Sequence, residues 1–293
     1  MDTGVTVEAW AKVNLTLEVF GTRPDGYHEL RSVVAPISLS DTITVSGLPS
    51  GTELRVSAEG GVGLSNIGTP ERNLAVRAAN LLRQRCGFNG GVSIQIDKRI
   101  PIGGGLGGGS ADAAGTLHAL NRLWGLGLKT AALMELGAEL GSDIPALVCG
   151  RTVLMEGRGE KITPLDFAVF KTLWLVIANP GIACPTPEVY RRWEFSHEAA
   201  QTNHSRRMAD ALAGGDPLLV AAALHNGLEP AVLEGWSQVA ETAKLLKGAG
   251  CLGVMVSGSG ASVFGVAADE KHSREICEQI PREIWHTSVK IKG

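Results

Sequence analysis

Cysteine is scarce in this 293-residue chain, and what there is does not pair. Cys86, Cys149, Cys184, Cys251 and Cys277 are far apart and odd in number, and none stands in a C-x-x-C pair. Neither a zinc site nor a disulfide framework is indicated, and a reducing, cytoplasmic compartment is the expectation. An excess of charge of one sign is also missing. The net charge is −3 and the isoelectric point about 6.2, so no nucleic-acid partner is expected. No apolar run approaches the roughly 20 residues of a membrane span, which argues against a membrane partner. The chain opens with Asp2 and Glu8 and no basic-then-apolar pattern, so no secretory leader is expected. There is no internal repeat and no low-complexity tail. The remaining composition, 44% hydrophobic and 19% charged, is that of a globular protein with room for two modest domains or one large one.

Glycine is abundant and concentrated. Six of the nine residues from Gly103 to Ala111 are glycine, in the stretch Pro101-Ile-Gly-Gly-Gly-Leu-Gly-Gly-Gly-Ser-Ala111. Glycine costs backbone entropy, so such a run needs a reason. Before it, Val92, Ile94 and Ile96 alternate with Ser93, Gln95 and Asp97 as in a strand. After it, Ala113, Leu117, Leu120 and Trp124 recur at helical spacing, with Ser110 or Asp112 as the expected cap. Strand, glycine loop and helix N-terminus form a physical recipe for holding phosphate. Backbone N–H groups converge without side chains in the way, and the helix dipole adds partial positive charge.

Several folds use that recipe. The stretch contains G-x-G-x-x-G at Gly103, Gly105 and Gly108, but a dinucleotide fold wants a second strand ending in an acid about 20 residues on. Here the chain is still completing a helix and the Gly125-Leu-Gly127 turn. A P-loop ends in Gly-Lys-Ser/Thr, whereas Gly109 is followed directly by Ser110. The His-Arg-Asp and Asp-Phe-Gly strings of a protein kinase do not occur. A flexible linker fits badly with the stiff entry at Pro101 and the apolar helix that follows.

Pro-x-Gly-Gly-Gly-Leu-Gly-Gly-Gly-Ser-x-x-Ala-Ala resembles the central phosphate-binding motif of the GHMP kinases. The resemblance implies an ATP site built from Pro101, Ile102, Gly103, Gly104, Gly105, Leu106, Gly107, Gly108, Gly109, Ser110 and Ala111, with Ser110 contacting phosphate or Mg2+. Other segments carry the same resemblance in the same order. Val5 to Val19 alternates, putting Lys12 and Asn14 on one face if extended. Alone, Lys12 reads as a solvated strand lysine. Ala-Lys-Val-Asn-Leu is similar to the family's N-terminal motif, which implies an active-site Lys12 with Asn14 toward substrate. Arg23-Pro-Asp-Gly-Tyr-His-Glu-Leu30 holds a turn at Pro24-Asp25-Gly26. It resembles the cytidine-binding segment of the family branch that acts on a cytidine diphosphate-linked methylerythritol. That implies Tyr27 and Tyr190 sandwiching the cytosine and a neutral His28 donating to its ring nitrogen.

Asn73 reads as the N-cap of a helix over 73–85, and by resemblance also reaches the adenine. Lys98 reads equally as a solvated lysine and, by resemblance, as a residue near the nucleotide. Asp143, ahead of Ile-Pro, fits a helix N-cap. Gly141-Ser-Asp-Ile-Pro145 is similar to the segment that supplies the family's catalytic aspartate. Val153 to Leu165 reads as a hairpin. Asn179 to Tyr190 reads as a loop entering a helix and resembles a second substrate segment. Met255 to Phe264, a glycine turn between strand-like runs, resembles the family's third motif. Asp112 departs from the neutral residue of some relatives, either favouring the helix dipole or sitting near the metal.

The resemblance implies an α/β (α+β) fold of two domains, residues 1–165 binding ATP and 166–293 forming the C-terminal domain, with the active site in the cleft between them. It implies transfer of the γ-phosphate of ATP to the 2-hydroxyl of the cytidylyl substrate, a step of the non-mevalonate isoprenoid route. Asp143 would take the hydroxyl proton while Lys12 orients it and stabilises the developing negative charge. Two rivals stay open: a GHMP kinase of mevalonate or homoserine type, against which Tyr27-His28 argues, and a silent nucleotide-binding regulator on the same fold, which would be expected to lose Lys12 or Asp143.

Overall fold

The structure, a computed structural model, describes residues 4–59, 63, 69–166, 172–196 and 203–292. The stretch 59–70, rich in Gly, Ser and Thr and loop-like in sequence, lies mostly outside them. In chain order the elements are β1 (Val5–Asn14), β2 (Thr16–Thr22), β3 (His28–Leu48), β4 (Thr52–Ala58), α1 (Leu74–Cys86), β5 (Gly91–Lys98), α2 (Gly108–Leu123), α3 (Thr130–Leu140), α4 (Ile144–Cys149), β6 (Val153–Gly157), β7 (Lys161–Pro164), β8 (Trp174–Asn179), α5 (Thr186–Ser196), α6 (His204–Gly214), α7 (Pro217–Ala223), β9 (His225–Asn226), α8 (Glu229–Gly235), α9 (Ser237–Gly248), β10 (Gly253–Val256), β11 (Val263–Ala267), α10 (Glu270–Gln279) and β12 (Trp285–Lys290).

The opening alternation folds as extended chain, with Ala9, Ala11, Val13, Leu15, Leu17 and Val19 buried. It makes two strands rather than one, interrupted at Leu15, whose amide donates to the carbonyl of Val33. Thr42-Ile-Thr-Val-Ser46, a strand-like run in the sequence, lies toward the far end of β3, which runs 21 residues. Pro36 lies inside β3, between the residues that pair with β6, 30–34, and those that pair with β5, 42–48.

The chain divides into two compact units, each assembled from separate segments. The first is Met1–Ala11, Leu39–Ile102 and Gly107–Gly150. In it β4 runs parallel to β5, and β5 antiparallel to the second half of β3. The inward face carries Ile43, Val45, Val92, Ile94 and Ile96, all fully buried. Helix α2 comes close to this face on small residues: a side chain on Gly115 would meet Ile43 at 3.0 Å and Ala9 at 3.1 Å. Helix α1 starts on Asn73, whose Oδ1 accepts from the amide of Ala75 at 2.9 Å, the cap read from sequence.

The second unit is Lys12–Ser38, Gly103–Leu106 and Arg151–Gly293. The first half of β3 pairs with β2 on one edge and β6 on the other; β6 and β7 form the expected hairpin, and β9 adds parallel to β2. A separate antiparallel sheet orders β10-β11-β8-β12. Its core includes Val176, Ala178, Val232, Val239, Leu246, Val256, Val263 and Ile276. His204, at the start of α6, and His225, in β9, stack face to face with centroids 3.6 Å apart. Glu18 of β2 accepts from the amides of His204 and Ser205 and from the Ser205 hydroxyl. Helix α8 and the two-residue strand β9 are too short to carry a periodic signal in the sequence.

Candidate active site

The glycine loop leaves β5 through the buried Ile100 and Pro101 and enters α2 through Gly107. Neither Ser110 nor Asp112 caps α2. The cap is Gly107 at φ 72°, a left-handed conformation that glycine adopts at no steric cost, and Ser110 and Asp112 lie inside the first turns. The first intrahelical bond runs from Ala111 N–H to the Gly107 carbonyl at 2.8 Å. The amides of Gly108, Gly109 and Ser110 therefore precede the helical ladder, at the positive end of the dipole. Ile102 is half-buried and Gly103 exposed, while Leu106 is fully buried and anchors the middle of the loop.

In the second unit the loop carbonyls are held one by one. Gly104 accepts from the Ser262 amide, Gly105 from the Ser257 hydroxyl and Leu106 from the Lys12 amide, each at 3.0 Å. A side chain on Gly105 would meet the Ser257 carbonyl oxygen at 2.2 Å, so the approach requires glycine there. Ser257 and Ser262 belong to the turn between β10 and β11, the third motif of the sequence reading. That turn is braced by residues the reading missed. Asn226 donates to the carbonyls of Val256 and Gly258, and Asn179 donates to the Ser262 hydroxyl.

Lys12 is 4% exposed, so it is not a solvated strand lysine. Its ammonium donates to Asn14 Oδ1 at 2.6 Å. An ammonium only donates, so the amide oxygen of Asn14 must face it, and the amide nitrogen turns to the Ser32 hydroxyl at 2.8 Å. A side chain on Gly258 would lie 3.4 Å from Lys12 Nζ and 3.2 Å from Asn14 Oδ1. Lys12, Asn14, Gly258 and the loop carbonyls thus share one neighbourhood.

Lys98, Asp112 and Asp143 belong to the first unit. Lys98 is also buried, in phase with the core residues Val92, Ile94 and Ile96. Its ammonium pairs with Asp41 Oδ2 and, at 2.8 Å, with Asp112 Oδ2. Asp112 therefore serves an ion pair and does not cap the helix; its Oδ1 is buried with no hydrogen-bond partner among the described residues. Burial pushes the Asp112 carboxyl up to about 7, against the pull of Lys98 and with Asp41 adding to the push. Burial also opposes the charge on Lys98, but the two carboxylates outweigh it and raise its pKa. Asp143 occupies the N-cap position of α4, half-buried, and its carboxylate makes no capping hydrogen bond. Capping does not account for an aspartate there.

The base-reading segment lies in the second unit. Tyr27 is 51% exposed, with the Arg158 guanidinium 5.2 Å from its ring centre. Tyr190, on α5, stacks on the His28 imidazole at 4.5 Å, and Trp193 meets that ring edge-on. His28 Nε2 lies 3.0 Å from Glu194 Oε1. A carboxylate oxygen accepts, so Nε2 carries the proton, and in a neutral ring Nδ1 is an acceptor rather than the donor expected from sequence. Glu194 and Arg158 were missed because they are distant in sequence from the turn they serve.

Comparison with known proteins follows the same division. The family model for the GHMP kinases N terminal domain matches residues 73–151, and that for the GHMP kinases C terminal domain matches residues 208–286. The chain is 40% identical over 282 residues to the 4-diphosphocytidyl-2-C-methyl-D-erythritol kinase of Symbiobacterium thermophilum, covering 95% of this chain and 97% of that one. It is 41% identical to the same-named kinase of Gloeobacter violaceus, covering 95% and 91%. A crystal structure of a 4-(cytidine 5'-diphospho)-2C-methyl-D-erythritol kinase, 34% identical, superposes with a TM-score of 0.81 over 98% of this chain and 99% of that one. Homoserine kinase from Cytophaga hutchinsonii, at 17% identity and TM-score 0.71, shares the fold.

Proposed function

The chain belongs to the GHMP kinase family, within it to the 4-diphosphocytidyl-2-C-methyl-D-erythritol kinases, and on that footing we propose how its residues share the reaction. It is an ATP-dependent small-molecule kinase. The γ-phosphoryl group of ATP passes to the 2-hydroxyl of 4-diphosphocytidyl-2-C-methyl-D-erythritol, the hydroxyl proton passes to Asp143, and ADP leaves. The product feeds isoprenoid precursor synthesis by the non-mevalonate route.

Phosphoryl transfer needs positioning and charge neutralisation more than covalent help. The amides of Gly103 to Ala111 receive the triphosphate at the start of α2. Lys12 stabilises negative charge on the attacking oxygen, and Asn14 keeps its ammonium aimed. The observation that carries this reading is the coupling of the two parts: the Lys12 backbone amide holds the loop carbonyl of Leu106 while its side chain is fixed by Asn14. Magnesium calls for oxygen donors, and the first turns of α2 carry the Ser110 hydroxyl and the unpartnered buried Oδ1 of Asp112. Those donors fit; Ser110 would hold the ion, which neutralises phosphate charge. Asn73, committed to its cap, lines the adenine side.

For the base, exposed Tyr27 supplies one stacking face and Tyr190 the other. With Nε2 donating to Glu194, His28 presents Nδ1 to the exocyclic amine of cytosine; uracil has a carbonyl there. ATP turnover with the cytidylyl substrate, compared with mevalonate and homoserine, tests the reading. Equal turnover of all three would overturn the assignment of substrate.

A further inference from the structure

Asp41 stands at a core position of β3. Ile37, Leu39, Asp41, Ile43 and Val45 share one face of the strand, and Asp41 is fully buried among them. Its Oδ1 accepts from two successive backbone amides, Arg99 at 2.6 Å and Ile100 at 2.9 Å. Its Oδ2 accepts from the Lys98 ammonium. Those three residues are the last of β5 and the approach to Pro101. Lys98 then reaches Asp112 Oδ2 on α2, past Gly108, where a side chain would lie 3.4 Å from Nζ. One buried lysine thus joins the middle of β3, the end of β5 and the start of α2, and the last two are the ends of the glycine loop.

Such a cluster is a poor way to add stability. Taking two carboxylates and an ammonium out of water costs several kcal/mol per ion, and apolar residues of similar volume commonly do as well. What the ions supply is a fixed separation between strand end and helix start. We propose that Asp41 is a positioning residue for ATP: through Lys98 and Asp112 it sets the span of the glycine loop, and Lys98 acts as the clasp of that loop rather than as a phosphate ligand. This rests on the reading of residues 101–111 as the phosphate cradle.

The two roles for Lys98 predict opposite results for Asp41→Asn. The amide oxygen of asparagine still accepts from Arg99 and Ile100, but the negative charge holding Lys98 is gone. If Lys98 were a phosphate ligand, releasing it would leave KM for ATP unchanged or lower it. As a clasp, its loss raises KM for ATP about tenfold, on the scale of loop displacements of an ångström or less, with kcat and KM for the cytidylyl substrate moving less than about threefold. A purely structural role would lower the melting temperature and the active fraction without that split. Steady-state kinetics on the full chain, with the melting temperature recorded, give the reading. Should Asp41→Asn not fold, Asp41→Ser, whose hydroxyl can still accept from one of the two backbone amides while releasing Lys98, provides the same test. A folded variant with unchanged or lower KM for ATP overturns the proposal. Gly107→Val, in parallel, separates the two layers: if it too leaves KM for ATP unchanged, the cradle reading itself has failed.

Discussion

The Lys12 ammonium lies 2.6 Å from Oδ1 of Asn14, two residues along the same strand. The pair makes a buried cation affordable, because the amide replaces part of the water that Lys12 has lost. Lys12→Ala is expected to lower kcat by about 10²–10³, the usual effect of deleting one donor that stabilises developing charge, with a much smaller change in KM for ATP. Asn14→Ala should follow the same pattern more weakly, since the lysine remains but loses the amide oxygen that orients it. Equal losses in kcat and ATP affinity would move Lys12 to the nucleotide site.

Asp143→Asn should lower turnover by about 10²–10⁴ while ATP binding persists, the range for a positioned base. An unchanged rate would strip Asp143 of its catalytic role.

Tyr27→Ala should weaken the cytidylyl substrate by about 1–3 kcal/mol, the range for one base–aromatic stack, and leave ATP affinity unaltered. His28→Ala and Glu194→Gln should both narrow the preference for cytidine over uridine analogues, because each removes part of the arrangement that fixes the imidazole proton. Specificity constants for the two nucleotides decide the matter. Equal loss for both would leave His28 a structural residue of its turn.

The His204–His225 stack predicts a pH dependence of stability. Burial lowers the pKa of His225 from 6.5, the neighbouring His204 lowers it further, and Glu18 opposes both. The native state then binds fewer protons than the unfolded state between the depressed value and 6.5. Stability from this residue is full above about 6.5 and is lost as pH falls toward the native pKa. Melting curves from pH 7.5 to 5 should show wild type losing ground to His225→Phe. Parallel curves would remove His225 as the cause.

Much of the chemistry could be read from the chain because it is local. A glycine loop between strand and helix, the cap at Asn73, the hairpin after Val153 and the helix carrying Tyr190 each follow from neighbours in sequence. The failures are non-local. The solvated alternative for Lys98 stayed open because its two carboxylates come from β3 and α2, although its phase with Val92, Ile94 and Ile96 marked it as inward. Asp41 carried the same mark in the run Ile37, Leu39, Ile43, Val45. Ser110 and Asp112 looked like caps because side-chain preference says nothing of a left-handed glycine at the cap. Asn226 and Glu194 act on partners 30 and 166 residues away, beyond any local pattern.

Strand β3 contributes to both compact units, and the second unit draws on Lys12–Ser38 and Arg151–Gly293. During synthesis this sets an order of events. The hairpin of β2 and the first half of β3 leaves the ribosome early, with one edge awaiting β6 and the other awaiting β9. At roughly 5–20 residues per second those partners arrive many seconds later. Until then the nascent chain carries two unsatisfied strand edges, the kind of surface that invites pairing with another polypeptide. The protein's yield in a cell is therefore tied to how that interval is covered, by chaperones or by the speed of translation.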